Sequence, residues 1–338
     1  MPTDRARKLL VIFAMLSSVL GLAACGGGGG GYGGGNPPSN ASPSKLFGAD
    51  SPHMAIGSLA NPNPSAGTIP LDRVIQGIYP GLSNNIGSLA LDTGRNYLYV
   101  GNGTNMLVFH SASTANGDIF PDQSFSIGGG NTGSLFIDMV NDRLYVGDDV
   151  NGVKVFNGAS TANGAPSPAR TVTGNFGTTF VIHGVAVDTT AKNILYVSNT
   201  NNTTASDQIS VFDNASTVNG SIAPNRTIAP NPVANVGGIS LDAANDRLYV
   251  AGGAGAGTVM VFNGASTANG STAPAKTLIG FPSGIRNVVV DTVNDRLYAV
   301  GVSALYIVNS VSTATGAVTA TAILPASGGS LTAVAVAP

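Results

Sequence analysis

The stretch Val185-Ala186-Val187-Asp188, followed by Leu195-Tyr196-Val197 and by Ile209-Ser210-Val211-Phe212-Asp213, belongs to a unit that occurs five times in the chain. Its first segment is apolar and ends in Asp, and in four copies its second reads Leu-Tyr-Val and its third contains Val-Phe. The fifth copy has Leu-Tyr-Ala at 297–299 and Ile-Val at 307–308 instead. Short runs rich in Val, Ile and Tyr, separated by turn residues, predict β-strands. The Asp residues that end the first segments are Asp92, Asp138, Asp188, Asp242 and Asp291.

A loop and a fourth strand complete each unit. The loop is close to Asn-Gly-Ala-Ser-Thr-Ala-Asn-Gly and is most complete at 157–164 and 263–270. The fourth strand opens with Pro and then a basic or amide residue, as at Pro168 and Arg170. Four strands in a repeat of about 50 residues are typical of a propeller blade. The apolar first strand suits a position between two blades, and the proline suits an outer edge.

The two ends of the repeat region complement one another. Residues 45–50, 53–57 and 72–75 have the pattern of second, third and fourth strands without a first strand. Residues 331–336 have the pattern of a first strand with nothing after it. We therefore predict that residues 45–338 form an all-β, six-bladed β-propeller of four-stranded antiparallel blades, one of them shared between the N- and C-terminal segments. An open solenoid is the alternative, and it would need polar caps at both ends.

One blade carries a family resemblance. The pairing of Leu-Tyr-Val-x-Asn, at 195–199, with a Val-Phe-Asp strand, at 209–213, resembles the YVTN and NHL groups of bacterial propeller repeats. The resemblance covers about residues 45–338 and implies the propeller fold. It implies no single activity, because these families include binding scaffolds, signalling modules and a minority of enzymes.

The first 24 residues have the pattern of an export signal. A basic start is followed by an apolar run over 9–20, which is shorter than the ~20 residues that a membrane-spanning helix needs. The run ends in Leu22-Ala23-Ala24-Cys25, which resembles the bacterial lipobox. This resemblance implies a cleaved signal peptide over 1–24 and an acyl chain, palmitate among others, on Cys25. An ordinary cleavage site with a chance cysteine is the alternative.

Residues 25–44 link this signal to the repeats. They are almost all Gly, Ser, Asn and Pro, a composition that has little to bury and predicts a flexible tether reaching roughly 25 Å. Gly26 stands where Asp would resemble an inner-membrane retention signal. We therefore expect a protein of the cell envelope, lipid-anchored in the outer membrane, on its periplasmic or surface face.

Composition argues against several functions. Without residues 1–24 the chain has 12 basic and 16 acidic residues, so no basic stripe remains and we predict no nucleic-acid partner. All 17 acidic residues are Asp, whereas six-bladed metal lactonases use a Glu ligand. Of the 3 His residues, His110 is expected on the opposite face from His53 and His183, which disfavours a three-His zinc site. We therefore predict neither a cofactor nor a metal.

The candidate site is the mouth of the central channel, where the first strands begin and where the blades differ. Five positions before the strand-end Asp, four blades carry a small residue and two non-adjacent blades carry a cation. Loops between second and third strands open on the same face. Concave surfaces with a few polar groups are the usual place for a ligand. We predict a ligand-binding site made of His183, Arg286, Asp148, Asp149, Asn199 and Asp207.

The sequence is also compatible with two alternatives to a ligand site at the channel mouth. His183 and Arg286 could simply solvate the channel entrance. A Ca²⁺ ion on Asp148, Asp149 and Asp207 is another alternative, although no EF-hand spacing supports it. For the whole protein we predict a monomeric, non-catalytic scaffold that binds a protein or glycan. The alternatives are a lactonase-type hydrolase acting at the channel mouth and a plain spacer. The near-identical loops offer a repeated partner surface or reflect recent duplication, and the residues do not decide between these.

Overall fold

The computed structural model describes residues 45–68, 70–174, 176, 180–201, 206–230, 235–252, 257–282, 284–302, 304–324 and 331–337. The predicted signal peptide, Cys25 and the tether lie outside the described residues. Among the described residues, two short 3₁₀ helices occur, at Ala112–Thr114 and Ala159–Thr161, and every other regular element is a strand. Within the described ranges, helices of the length and apolar character needed to cross a bilayer are absent.

Three strands of a divided blade come first. They are β1 (Leu46–Asp50), β2 (Ala55–Leu59) and β4 (Arg73–Ile75), with the two-residue β3 (Gly67–Thr68) between the last two. The final strand of the chain, β27 (Leu331–Val336), joins them to give the sheet order β27-β1-β2-β4. We call this sheet the split blade.

Five complete blades lie between these two parts of the split blade. Blade 1 consists of β5 (Ile86–Asp92), β6 (Tyr97–Asn102), β7 (Asn105–Phe109) and β8 (Gln123–Ser126). Blade 2 consists of β9 (Thr132–Asp138), β10 (Arg143–Asp148), β11 (Gly152–Asn157) and β12 (Arg170–Val172). Blade 3 consists of β13 (Phe180–Asp188), β14 (Ile194–Asn201), β15 (Ser206–Asp213) and β16 (Arg226–Pro230). Blade 4 consists of β17 (Ile239–Asp242), β18 (Arg247–Ala251), β19 (Val259–Asn263) and β21 (Lys276–Ile279), with the short β20 (Gly270–Thr272) before its last strand. Blade 5 consists of β22 (Ile285–Asp291), β23 (Arg296–Gly301), β24 (Leu305–Asn309) and β26 (Thr321–Leu324), with the short β25 (Gly316–Ala317) before its last strand.

The ring closes through antiparallel pairing of the first and last strands. Phe47 lies opposite Ala335, and Gly48 lies opposite Val334. The other side of β1 pairs with β2, and β2 pairs with β4. The prediction of a six-bladed propeller with one shared blade is therefore confirmed.

Hydrophobic packing occurs between blades, because each blade buries both of its faces. Leu98 packs with Phe47 and Ile56 of the split blade. Its neighbour Tyr99 points the other way, to Ile137 and other residues of blade 2. The same division holds in every Leu-Tyr pair, so six buried clusters alternate with six sheets around the ring. Successive strand residues face opposite sides of a sheet, which explains why both Leu and Tyr recur.

The Asp that ends each inner strand stabilises the turn that follows it. Asp138 accepts hydrogen bonds from the backbone N–H and the side-chain amide of Asn141, at 3.1 and 2.8 Å. The next residue, Asp142, has a φ of 52°, in the left-handed region that Asn and Asp tolerate. Its carboxylate accepts from the N–H and hydroxyl of Ser160, at 2.9 and 2.7 Å. The Asp of each Asn-Asp-Arg turn therefore binds the Ser of the recurring loop.

The end of the recurring loop reaches the preceding blade. The N–H of Gly220 donates to the carbonyl of Thr171 at 2.7 Å, and the N–H of Thr173 donates to Gly220 at 3.1 Å. Asn219 Oδ1 accepts from the N–H of Thr171 at 2.9 Å. We call this parallel contact the interblade latch. It occurs at all six junctions, through Gly67, Gly117, Gly164, Gly220, Gly270 and Gly316.

The latch shows that the fourth strands, which the sequence predicts at the outer edge, also pair with the next blade. Each outer strand pairs, over one to three residues, with the loop of the next blade. The basic or amide residue at the start of the fourth strand adds a second bond across the junction. Arg170 donates to the carbonyl of Ala215 at 2.7 Å, and Lys276 donates to that of Ser312 at 2.6 Å. The near-identity of the loops thus has a structural cause.

The latch predicts opposite effects for two glycine substitutions. Gly220 has a φ of 82°, and a Cβ added there meets nothing within 4 Å, so Gly220→Ala tests backbone strain alone. We expect it to lower the free energy of unfolding by about 1–2 kcal/mol. Gly94 lies in an exposed turn without a positive φ, so Gly94→Ala should be neutral or stabilising by up to about 1 kcal/mol. Urea denaturation measures both, and equal losses would contradict the interpretation.

Candidate functional site

The inner strands begin around a cavity of about 240 Å³ at one mouth of the central channel. Five of the six positions that the sequence placed there line it, namely Gly87, Gly133, His183, Arg286 and Thr332. Asp149 also lines the cavity, from the loop between β10 and β11 of blade 2. The structure thus brings together three of the six predicted site residues, and these three are the charged or titratable side chains of the cavity.

Close approach of the inner strands explains why most blades have a small residue at this position. A Cβ on Gly87 would lie 2.3 Å from the carbonyl oxygen of Thr132 in the next blade. A Cβ on Gly237 would lie 2.5 Å from the carbonyl oxygen of Arg286. The inner strands of neighbouring blades therefore leave no room for a side chain at these places. His183 and Arg286 depart from this pattern, and both side chains reach the cavity.

His183 is half-buried, and its ring makes one hydrogen bond to a described residue. Nε2 lies 2.8 Å from the hydroxyl of Thr200, a partner that the sequence gave no reason to expect. Burial lowers the pKa of His183, and the negative charge of Asp207 opposes this shift. Asp207 itself accepts a hydrogen bond from the N–H of Val236 at 3.1 Å. His183 is therefore a mainly neutral ring at neutral pH, and Asp207 acts on it from outside the cavity wall.

Asp149 and Arg286 are the opposite charges of the cavity. Oδ1 of Asp149 is buried and has no hydrogen-bond partner among the described residues. Burial raises the pKa of Asp149, while the nearby backbone N–H of Ile182 opposes the shift and the charge of Asp148 adds to it. Arg286 is exposed, and its guanidinium forms no ion pair or hydrogen bond within the described part of the chain. Neither charge therefore forms an ion pair with another described residue.

Two predicted site residues have other roles. Asp148 and Asn199 are 0 % exposed, so neither side chain is presented to the cavity as predicted. Asp148 forms an ion pair with Lys154, which also donates to the carbonyl of Ile127 in blade 1 at 2.7 Å. Asn199 Oδ1 accepts from the hydroxyl of Ser210 at 3.0 Å. Both side chains therefore have partners within their own blade, and their contact with a ligand remains a prediction.

The geometry argues against the calcium alternative. A Ca²⁺ ion needs several free carboxylate or carbonyl oxygens, but Asp148 is already paired with the ammonium group of Lys154. Asp207 does not line the cavity that contains Asp149. Within the described ranges, three or more His, Cys or carboxylate side chains do not come together in a metal-binding group.

A second cavity, of about 390 Å³, lies between blades 4 and 5, at the end of the blades opposite to the mouth cavity. It is larger than the mouth cavity, but its polar side chains belong to the recurring turns. Asp242 accepts from Asn245, and Asp295 accepts from the hydroxyl of Ser312 at 2.7 Å. Because these groups are already used by the fold, the mouth cavity is the better candidate site.

The environment of His183 predicts its titration. In an NMR pH titration, His183 should lose its proton at a lower pH than an exposed histidine, because burial disfavours the charged ring. Asp207→Asn should lower that pKa further, since the carboxylate favours the charged ring. Asp122→Asn is the control and should leave the pKa of His183 unchanged. Asp122 lies beside a different histidine, with its Oδ1 3.7 Å from Nδ1 of His110. A His183 pKa that rises in Asp207→Asn would contradict this account.

Comparison with known proteins adds evidence on fold alone. No family model matches the sequence, and no curated protein matches it. Among solved structures, a chain of a nidogen/laminin complex is similar, with a TM-score of 0.57 and 14% sequence identity. The alignment covers 87% of this chain and 98% of that chain. At this identity the similarity supports the β-propeller fold, which the six-bladed ring shows independently.

Proposed function

We propose that this chain is a lipid-anchored β-propeller of the bacterial cell envelope, of the YVTN/NHL type, that binds a protein or glycan at its channel-mouth face without catalysis. One observation carries the proposal. Asp149 and Arg286 line the mouth cavity without an oppositely charged partner among the described residues, whereas Asp138 and other recurring carboxylates at the other end accept hydrogen bonds from neighbouring side chains. Polar groups that the fold leaves unpaired favour a ligand.

The similar solved structure supports a binding role. It comes from a complex of nidogen with laminin, so a chain of this architecture occurs there in a complex of two proteins. In the present chain the interblade latches pair the outer strands, which leaves less free strand edge for self-association. We therefore propose a monomer whose contacts with other molecules use the mouth face.

The anchoring half of the proposal rests on the lipobox-like end of the signal and on the glycine-rich tether. The chain expressed in a bacterium should incorporate radiolabelled palmitate and fractionate with membranes. Cys25→Ser should abolish both, because Cys25 is the single cysteine of the sequence. Ser39→Ala, in the tether, is the matched control and should keep the label. Unlabelled wild-type protein would overturn the anchor.

The binding half is tested by site-specific photo-cross-linking in the cells that produce the protein. A photoreactive residue at Val150, which is 67% exposed in the loop beside Asp149, should give a discrete cross-linked product. The same residue at Val140, which is 88% exposed in a turn at the other end of the same blade, is the control and should not. Equal products from both positions would overturn a mouth-face partner. Metal-dependent turnover of lactones that His183→Ala abolishes would replace it with the hydrolase alternative.

A further inference from the structure

We infer that the mouth cavity binds a small zwitterion, with Arg286 contacting its anionic group and Asp149 its cationic group. This inference deepens the proposed function and rests on it, since it gives the chemistry of a ligand for the same mouth. It assigns no role to the lipid anchor.

The ring places the two charges on opposite sides of the channel. Asp149 follows β10 in blade 2, and Arg286 lies in β22 of blade 5. In a ring of six blades, the second and the fifth face each other across the axis. Both side chains line one cavity, and no ion pair joins them. The cavity therefore has an anionic and a cationic wall with open space between them.

A ligand with a single charge fits this arrangement poorly. An anion on Arg286 would leave the buried Oδ1 of Asp149 unpaired and would add a like charge near it. A cation on Asp149 would likewise leave the guanidinium of Arg286 unpaired and would add a like charge near it. Removing a charged group from water is unfavourable unless it is paired and hydrogen-bonded. A molecule with both an ammonium and a carboxylate group pairs both walls and leaves the net charge of the cavity unchanged.

Cavity size and the remaining side chains restrict the ligand further. The volume of about 240 Å³ lies below the range of roughly 300–1,000 Å³ found for drug-sized ligands, so the zwitterion has few heavy atoms. The hydroxyl of Thr332 already donates a hydrogen bond within the protein, to the carbonyl of Ile86 at 2.8 Å. His183 uses Nε2 toward Thr200, which leaves Nδ1 as an uncharged polar contact for the ligand. Small amino acids with one or a few methylene groups meet these conditions.

Isothermal titration of the full mature protein with glycine, β-alanine, 4-aminobutyrate and 5-aminovalerate tests the inference. The series varies the distance between the two charges, so the tightest member reports the separation between Asp149 and Arg286. We expect that member to bind at least tenfold more tightly than both propionate and propylamine, which carry one charge each. Arg286→Gln and Asp149→Asn should each weaken it at least tenfold. Lys192→Ala, which removes an ion pair with Asp246 at the opposite end of blade 3, should leave it unchanged.

A second measurement uses the unmodified protein. The tightest amino acid should shift the NMR resonances of the His183 ring and leave those of His110, at the other end of its blade, in place. Propionate binding as tightly as every amino acid would overturn the inference in favour of an anion site. Binding of none of the series would also overturn it. If the Val150 cross-link persists in that case, the proposed function stands and only the zwitterion fails; if both are absent, both fail.

Discussion

The packing of one blade against the next is the constraint on which the whole structure depends. Leu98 and Phe109 of blade 1 are buried against the split blade, while Tyr99 and Val108 of the same two strands are buried against blade 2. A single blade therefore has two apolar faces and no interior of its own. Such a sheet is stable only between two neighbours, and a row of them leaves two unprotected faces unless it closes into a ring. Turn geometry, latches and channel all follow from that closure.

The same constraint defines the candidate site. Inner strands that approach closely enough for a Cβ on Gly87 to collide with the next blade leave a narrow channel lined by backbone. At the position of Gly87, large side chains enter the cavity where a blade departs from the repeat, as at His183 and Arg286. The repeat thus supplies a uniform rim, and its few irregular positions give the mouth its charge.

Much of this architecture is encoded in local sequence patterns. The Leu-Tyr-Val and Val-Phe strands, the strand-end Asp residues and the complementary ends identified the six-bladed ring, and counting back from each Asp identified His183 and Arg286 at the mouth. Side-chain direction at strand ends was beyond that reasoning. Asp148 and Asp149 are neighbours, yet one pairs with Lys154 inside the protein and the other lines the cavity. The outcome depends on carbonyl groups of blade 1 that bind Lys154, a contact between distant segments.

The interblade latch shows a signal that sequence reasoning overlooked. An Asn-Gly pair that recurs at one place in several blades indicates a left-handed residue with a dedicated hydrogen-bond partner, here the outer strand of the preceding blade. Ring closure through β27 also affects the order of folding. Residue 336 lies opposite residue 46, so the earliest strands to be synthesised wait for the latest ones before their blade is complete. Contacts between such distant segments form slowly, so the ring closes only after the final strand has been synthesised.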